Sequence, residues 1–359
     1  MAAENKPGVS KGGNTPKPAS AKGGNTPKPA SAKDQSRQQS RPVTGKGAGG
    51  ARRGGAPAPR GGAPAPRGPS GALIAWGAVG LVIVVVAVLV IVKVTGGSNA
   101  TTGNGSGPIP VTPAPASVVH DVTSIPASVF NAVGVTAPGS VSLTAPHVIT
   151  GQPALTLGGH TPAMLYYGAE YCPFCAAERW AVVAALSRFG TWSGLQITGS
   201  SPTDVAANTH TFSFRSAVFT SKYITFQAVE ACTNIAGPVS LGCSGYTVLQ
   251  KPNKEQQAVL NKYALPPYAP NDTQGIAFPY MDIDNKVIVS GASYLPQILQ
   301  GLTWQQIASV LSDPTNTVTQ AIVGTANYLS AGICASTGQQ PANVCSSAGV
   351  KAAATALKL

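Results

Sequence analysis

Histidine, acidic side chains and the usual catalytic signatures are scarce in this chain of 359 residues. Its four histidines, His120, His147, His160 and His210, are scattered along the sequence and are read as surface or core residues rather than ligands. Tetrahedral zinc wants four ligands, and neither a second Cys-x-x-Cys pair nor a His-x-x-x-His occurs to supply them. There is no Gly-x-Ser-x-Gly, no phosphate loop and no Gly-x-Gly-x-x-Gly following a strand. Those absences remove the serine-hydrolase, nucleoside-triphosphate and dinucleotide classes. No metal or organic cofactor is expected.

Charge is sparse as well. Only 10% of residues are charged, which is low for a soluble cytosolic protein. The net charge of +12 is concentrated, with 13 of the 24 Lys and Arg inside residues 1–71, opposed there only by Glu4 and Asp34. The rest of the chain is nearly neutral and carries no nucleic-acid footprint.

The abundant residues are glycine and proline, 41 and 31 of them. Residues 1–71 repeat an eleven-residue unit at Lys11–Ala21 and Lys22–Ala32, then a seven-residue unit at Gly54–Arg60 and Gly61–Arg67. Almost nothing there can be buried to offset chain entropy, so a disordered basic tail is expected. Such a tail gains attraction if it rests on anionic lipid. Ala72–Val92 follows as 21 residues without a charge. At about 1.5 Å per residue it matches the hydrocarbon thickness of a bilayer. It is longer than the apolar region of a cleaved signal peptide and lies behind a long tail. A retained transmembrane helix is expected, with the basic side cytoplasmic and everything after it outside. Residues 93–119 read as a flexible Gly/Ser/Pro linker, residues 120–346 as the folded domain and residues 347–359 as a C-terminal tail.

Six cysteines are present, and their spacing is orderly. Cys172 and Cys175 enclose two residues, while Cys232 and Cys243, like Cys334 and Cys345, enclose ten. Many connectivities are open to six cysteines, but short loops close cheaply. Local pairing suits an oxidising compartment, and Cys232–Cys243 and Cys334–Cys345 are read as structural bridges.

The stretch Glu170-Tyr171-Cys172-Pro173-Phe174-Cys175 joins an apolar run, Ala163–Gly168, to a helical one from Phe174 to Phe189. Pro173 suits the first helical position, so the two thiols sit on a helix N-terminus. Partial positive charge and free N–H groups there lower the pKa of a cysteine. A thiolate is the species that attacks a disulfide. In such a turn the first sulfur is usually exposed and the second tucked behind it. Cys172 is therefore the expected nucleophile and Cys175 the resolving thiol. A purely structural Cys172–Cys175 bridge and a zinc site are the competing readings. Glu170 and Glu178 flank the dithiol, either as solvated or ion-paired carboxylates or as a proton relay for Cys175.

Further on, Lys222–Val229 reads as a strand and Lys254–Tyr263 as a helix. Phe278–Ile283, Asp284-Asn285 and Lys286–Ser290 give a strand–turn–strand signal. Thr303–Leu311 reads as a helix capped by Thr303, and Thr317–Ile333 as another. Short β-like pieces fall at Val141–Leu143 and His147–Leu157.

A buried strand, then Tyr171-Cys172-Pro173-Phe174-Cys175, then a helix, with Phe278-Pro279 before a late hairpin, resembles the thioredoxin superfamily. That resemblance implies that Pro279 is a cis-proline facing the dithiol and that Phe278 helps bind substrate backbone. It also implies that Tyr171, Pro173 and Phe174 line the substrate site and that Thr303–Leu311 is the final helix. Thioredoxins carry a buried carboxylate six residues before the first cysteine, whereas this chain has Tyr166. The Pro173-Phe174 pair lacks the histidine of strong oxidants. The string from Ala169 to Trp180, followed by Ala-Leu-Ser-Arg-Phe-Gly at 185–190 and Gly-Gln-Gln-Pro-Ala-Asn-Val-Cys at 338–345, is similar to the archaeal and bacterial family called domain of unknown function 929. This narrower resemblance covers about residues 120–346 and implies a membrane-tethered, thioredoxin-like extracytoplasmic domain.

The expected architecture is α/β, a thioredoxin-like central sheet with flanking helices, preceded by one transmembrane helix and a disordered tail. The expected activity is thiol–disulfide exchange with exported protein thiols or disulfides, or with a membrane redox partner. The alternative is a non-catalytic interaction or sensor module held by structural disulfides.

Overall fold

The computed structural model describes residues 107–135, 141–238, 243, 245–270 and 272–359. The basic tail over 1–71, the apolar run over 72–92 and the first part of the expected linker lie outside them. Among the described residues no helix is long and apolar enough to cross a membrane.

Ala163–Gly168 (Ala-Met-Leu-Tyr-Tyr-Gly) forms a strand buried along almost its whole length. It is flanked on one side by Thr225–Glu230, parallel, and on the other by Tyr280–Ile283, antiparallel. Val287–Ser290 and the short strand His147–Val148 extend the sheet to five strands. Successive side chains of a strand point to opposite faces, and the apolar pattern obeys this. Met164, Tyr166, Met281, Ile283, Val287 and Val289 enter one core. Ala163, Leu165, Tyr280 and Ile288 enter another. The first core is closed by helices Pro173–Leu186 and Thr317–Ser336, the second by helix Lys254–Tyr263 and the segment through Leu155 and Leu157. The result is a mixed α/β fold with apolar layers on both faces of the sheet.

Local signals account for most boundaries. Lys254–Tyr263 carries a capping box between Asn253 and Gln256, and Trp304–Ser309 carries one between Thr303 and Gln306. Asp284 and Asn285 both have positive φ, 56° and 51°. A two-residue hairpin turn needs that geometry, and Asp and Asn tolerate it better than most residues.

Several expectations are corrected. Val141–Leu143 is irregular rather than a strand. The helix capped by Thr303 has only six residues, and it is the twenty-residue Thr317–Ser336 that packs along the dithiol-bearing helix. The fold also starts before and ends after 120–346. Thr112-Pro113 pairs with Gln196–Ile197, Ala116–Thr123 is helical, and Val118 and Val122 are buried in the main core. Residues 347–359 are not a tail. Ala348–Leu357 is a helix that buries Val350, Ala353 and Leu357 in the same core. Alanine-rich composition there hid an amphipathic face.

Candidate dithiol site

Cys172 is the N-cap of helix Pro173–Leu186, with extended φ/ψ of −74° and 120°. Pro173 occupies the first helical position, where it has no N–H to waste. The Cys175 N–H then points back and donates to Cys172 Sγ at 3.3 Å. Both thiols are free, whereas Cys232–Cys243 and Cys334–Cys345 are bridged. Among the described residues no cluster of three His, Cys, Asp or Glu could hold a metal.

The Phe278–Pro279 peptide is cis. Its position before strand Tyr280–Ile283 brings the Phe278 carbonyl to 3.8 Å from Cys172 Sγ, which donates to it. Tyr171 lies over the same place, stacked on Tyr246 with centroids 4.2 Å apart and meeting Phe278 edge-on at 6.4 Å. Tyr246 comes from the segment after Val229, just beyond the Cys232–Cys243 bridge. The stretch between Val229 and Phe278, which with its own cysteines reads as an insertion suited to a lid or a docking surface, thus covers the dithiol. Consequently Cys172 is only 5% exposed, against the expectation of an exposed first sulfur. Phe174 is the exposed residue of the turn, while Pro173 and Pro279 are buried.

The two thiols differ electrostatically. The hydrogen bond from Cys175 pulls the Cys172 thiol below its ordinary range against the effect of burial, and the Arg179 guanidinium pulls the same way. Burial, then the neighbouring Cys172, push Cys175 well up. This asymmetry favours ionisation of Cys172 over Cys175.

Arg179 was not singled out by the sequence. It is fully buried and pairs with Glu230 through Nε–Oε1 at 2.9 Å and Nη2–Oε2 at 2.6 Å, and Nη2 also donates to Ala169 O at 2.8 Å. Burial alone would lower its pKa, but Glu230, Tyr166 and Cys175 together raise it well above the ordinary value. Its Nη1 has no hydrogen-bond partner, and the Tyr166 ring lies 5.8 Å from the guanidinium with its hydroxyl beside Cys175. Burial raises the Tyr166 phenol, so it stays neutral. A side chain at Gly168 would collide with that hydroxyl, so the glycine makes room for it. Beside Cys175 there are thus a tyrosine and a buried cation. The available signal was spacing. Arg179 is four residues after Cys175, on the same helix face.

The flanking carboxylates are engaged elsewhere. Glu170 is buried and accepts from Ser213 Oγ at 2.6 Å and from both Nε and Nη2 of Arg215. Glu178 accepts from Ser293 N and Oγ at 2.8 and 3.0 Å. Burial lifts its pKa to about 7. A cavity lined by Thr144, His147, Ala269, Ser290 and Ser293 contains neither thiol.

A family model described as Domain of unknown function (DUF929) matches residues 152–335, just over half of the chain. The match takes in the dithiol, the Cys232–Cys243 bridge and the cis-proline. No curated protein and no solved structure matches the chain.

Proposed function

We propose, for a chain that belongs to the DUF929 family, a membrane-anchored thiol–disulfide oxidoreductase with a thioredoxin-like catalytic domain. The observation that carries this reading is the unequal dithiol. Cys172 is an N-cap sulfur that accepts the Cys175 N–H and lies against a cis-Pro279 peptide, and the two thiols are pushed in opposite directions. The order of buried strand, dithiol, helix, parallel strand, helix, cis-proline and hairpin supports the thioredoxin-like part.

In the forward step the Cys172 thiolate attacks a substrate disulfide. A Cys172–substrate S–S bond forms, and the other substrate sulfur leaves as a thiolate. Cys175 gives up its proton and attacks Cys172 Sγ, which forms the Cys172–Cys175 disulfide and releases the second substrate thiol. The reverse sequence oxidises a substrate dithiol. Exported proteins, or a redox partner in the membrane, would be the substrates, with Ala72–Val92 as the tether. The Phe278 carbonyl, the exposed Phe174 and the half-buried Tyr171 are the contacts offered to a peptide.

The second reading is a non-catalytic interaction or sensor module, and the 5% exposure of Cys172 beneath Tyr171 and Tyr246 favours it. Turnover separates the two. The full-length protein should exchange with a model disulfide, and Cys175→Ala should trap mixed disulfides on Cys172 in cells. No exchange and no trapped species would sink the catalytic reading.

A further inference from the structure

A second sulfur pair shares the dithiol's own pocket. Ala169, Cys172, Cys175, Ala231, Cys232 and Cys243 form one buried apolar cluster, distinct from the two that hold the sheet. The cause is topological. Strands Ala163–Gly168 and Thr225–Glu230 are parallel neighbours, with Gly168 opposite Glu230. The chains leaving their C-terminal ends therefore stay side by side. The Ala231 N–H donates to Gly168 O at 2.7 Å, and the Glu170 N–H to Cys232 O at 2.8 Å. Cys172 comes just after the end of one strand and Cys232 just after the end of the other. From the far end of the same bridge, Cys243 O accepts the Tyr246 N–H at 2.8 Å, and Tyr246 stacks on Tyr171, the residue before Cys172.

The bridge is not what closes this hairpin. Strands Cys232–Ala236 and Tyr246–Val248 already pair through their backbones, and Leu249 and Gln250 N–H groups donate to Ala231 O and Glu230 O. The Cys334–Cys345 bridge is different in kind. It ties the end of helix Thr317–Ser336 to the next short helix, and both its cysteines belong to the main core. One pair in the shared cluster is reduced while its neighbour is oxidised.

We propose that Cys232–Cys243 is a second redox centre that exchanges two electrons with Cys172–Cys175 inside the molecule. This rests on the exchange chemistry proposed above. The Cys172 thiolate attacks one sulfur of the bridge. The Cys232–Cys243 bond breaks, a bond from Cys172 to that sulfur forms, and the other bridge cysteine leaves as a thiolate. Cys175 passes its proton to that thiolate and attacks Cys172 Sγ. The products are a Cys172–Cys175 disulfide and a reduced Cys232/Cys243 pair, as one thiol and one thiolate. Two electrons have moved, and no outside reagent is consumed. The aromatic cover over the dithiol then has a use, since it holds the two pairs together away from solvent. The substrate class is unchanged, but the molecule can hold four electrons in place of two.

The test follows each pair separately. Full-length protein oxidised at all three pairs is mixed with dithiothreitol, quenched with acid and alkylated, and peptide masses report each pair over time. The Cys172→Ser variant should reduce Cys232–Cys243 at least tenfold more slowly than the wild type, with Cys334–Cys345 unchanged as the internal control for folding. Wild-type protein whose Cys172 has been blocked by iodoacetamide repeats the comparison without a substitution. In Cys175→Ala, a cross-link from Cys172 to the attacked bridge cysteine should form in a proportion independent of protein concentration. An unchanged rate for Cys232–Cys243 on removing or blocking Cys172 overturns the relay. If the wild type still turns over a model disulfide in that case, only the relay falls. If it does not, the exchange reading falls as well.

Discussion

Arg179 and Glu178 are adjacent on the dithiol helix, and both are fully buried, yet their environments set them apart. Arg179 keeps its charge because Glu230 meets it through two hydrogen bonds, so the cation near both thiols is permanent. Removing one partner of such a pair strands the other charge, typically at a cost of about 3–5 kcal/mol. Glu178 has hydrogen bonds from Ser293 but no cation, and burial lifts its pKa from 4.5 to about 7. A carboxyl whose folded pKa exceeds its unfolded value makes the folded state bind the extra proton. Its contribution to stability is therefore full below about pH 4.5 and is lost as pH rises through about 7. At about 1.4 kcal/mol per unit, the loss reaches roughly 3 kcal/mol. Glu178→Gln should match the wild type near pH 4 and exceed it by about that amount at pH 8, read from denaturant unfolding. An equal difference at the two pH values would mean that this carboxyl does not titrate as described. The Cys172–Cys175 turn was legible in the sequence as a local string at a strand-to-helix junction, and the cis Phe278–Pro279 peptide only through the resemblance. Arg179 and Glu230 were not. They are 51 positions apart, and only the register that sets Gly168 beside Glu230 joins them.

At the scale of elements, the strands and helices around the dithiol follow from local patterns. Alternation assigns Met164 and Tyr166 to one face and Ala163 and Leu165 to the other, and Asp284-Asn285 fixes the hairpin. Packing between distant elements was less legible. The helix Ala348–Leu357 has small, weakly patterned residues, and its place in the core depends on Phe130 and Asn327 from other helices meeting Gly349. The hairpin Cys232–Ala236 and Tyr246–Val248 falls in the stretch between Val229 and Phe278 that reads from the sequence as an insertion suited to a lid or a docking surface, but the stack between Tyr171 and Tyr246 that seats it over the dithiol leaves no trace in either local string. That stack yields a prediction. Tyr246 also donates to Ser201 Oγ at 2.7 Å, which fixes the ring over the dithiol. Tyr246→Ala removes the outer half of the stack and opens Cys172, so iodoacetamide should alkylate Cys172 about tenfold faster. Cys175, with no exposure, should remain protected. An unchanged Cys172 rate would show that Tyr171 and Phe278 suffice as the cover.

At the scale of the whole chain, charge and sulfur chemistry point the same way. Basic residues gather before the apolar run Ala72–Val92, and all six cysteines come after it. Basic flanks stay on the cytoplasmic side of a membrane span, and disulfides persist in oxidising compartments. Under the proposed membrane tether both rules favour the same side for the domain, which holds Cys232–Cys243 and Cys334–Cys345 as bridges. The expectation is that the full-length protein stays in the membrane fraction through alkaline carbonate washing, and that deleting residues 72–92 releases it. Protease added outside intact cells should digest an epitope placed after Leu359 and spare one placed before Met1. The opposite protection pattern would put the domain in a reducing compartment. There the two bridges would lack the oxidising surroundings that sustain them, and exchange with exported proteins would have no route. The orientation is thus the premise on which the substrate class depends, and the protease assay tests it without reference to catalysis.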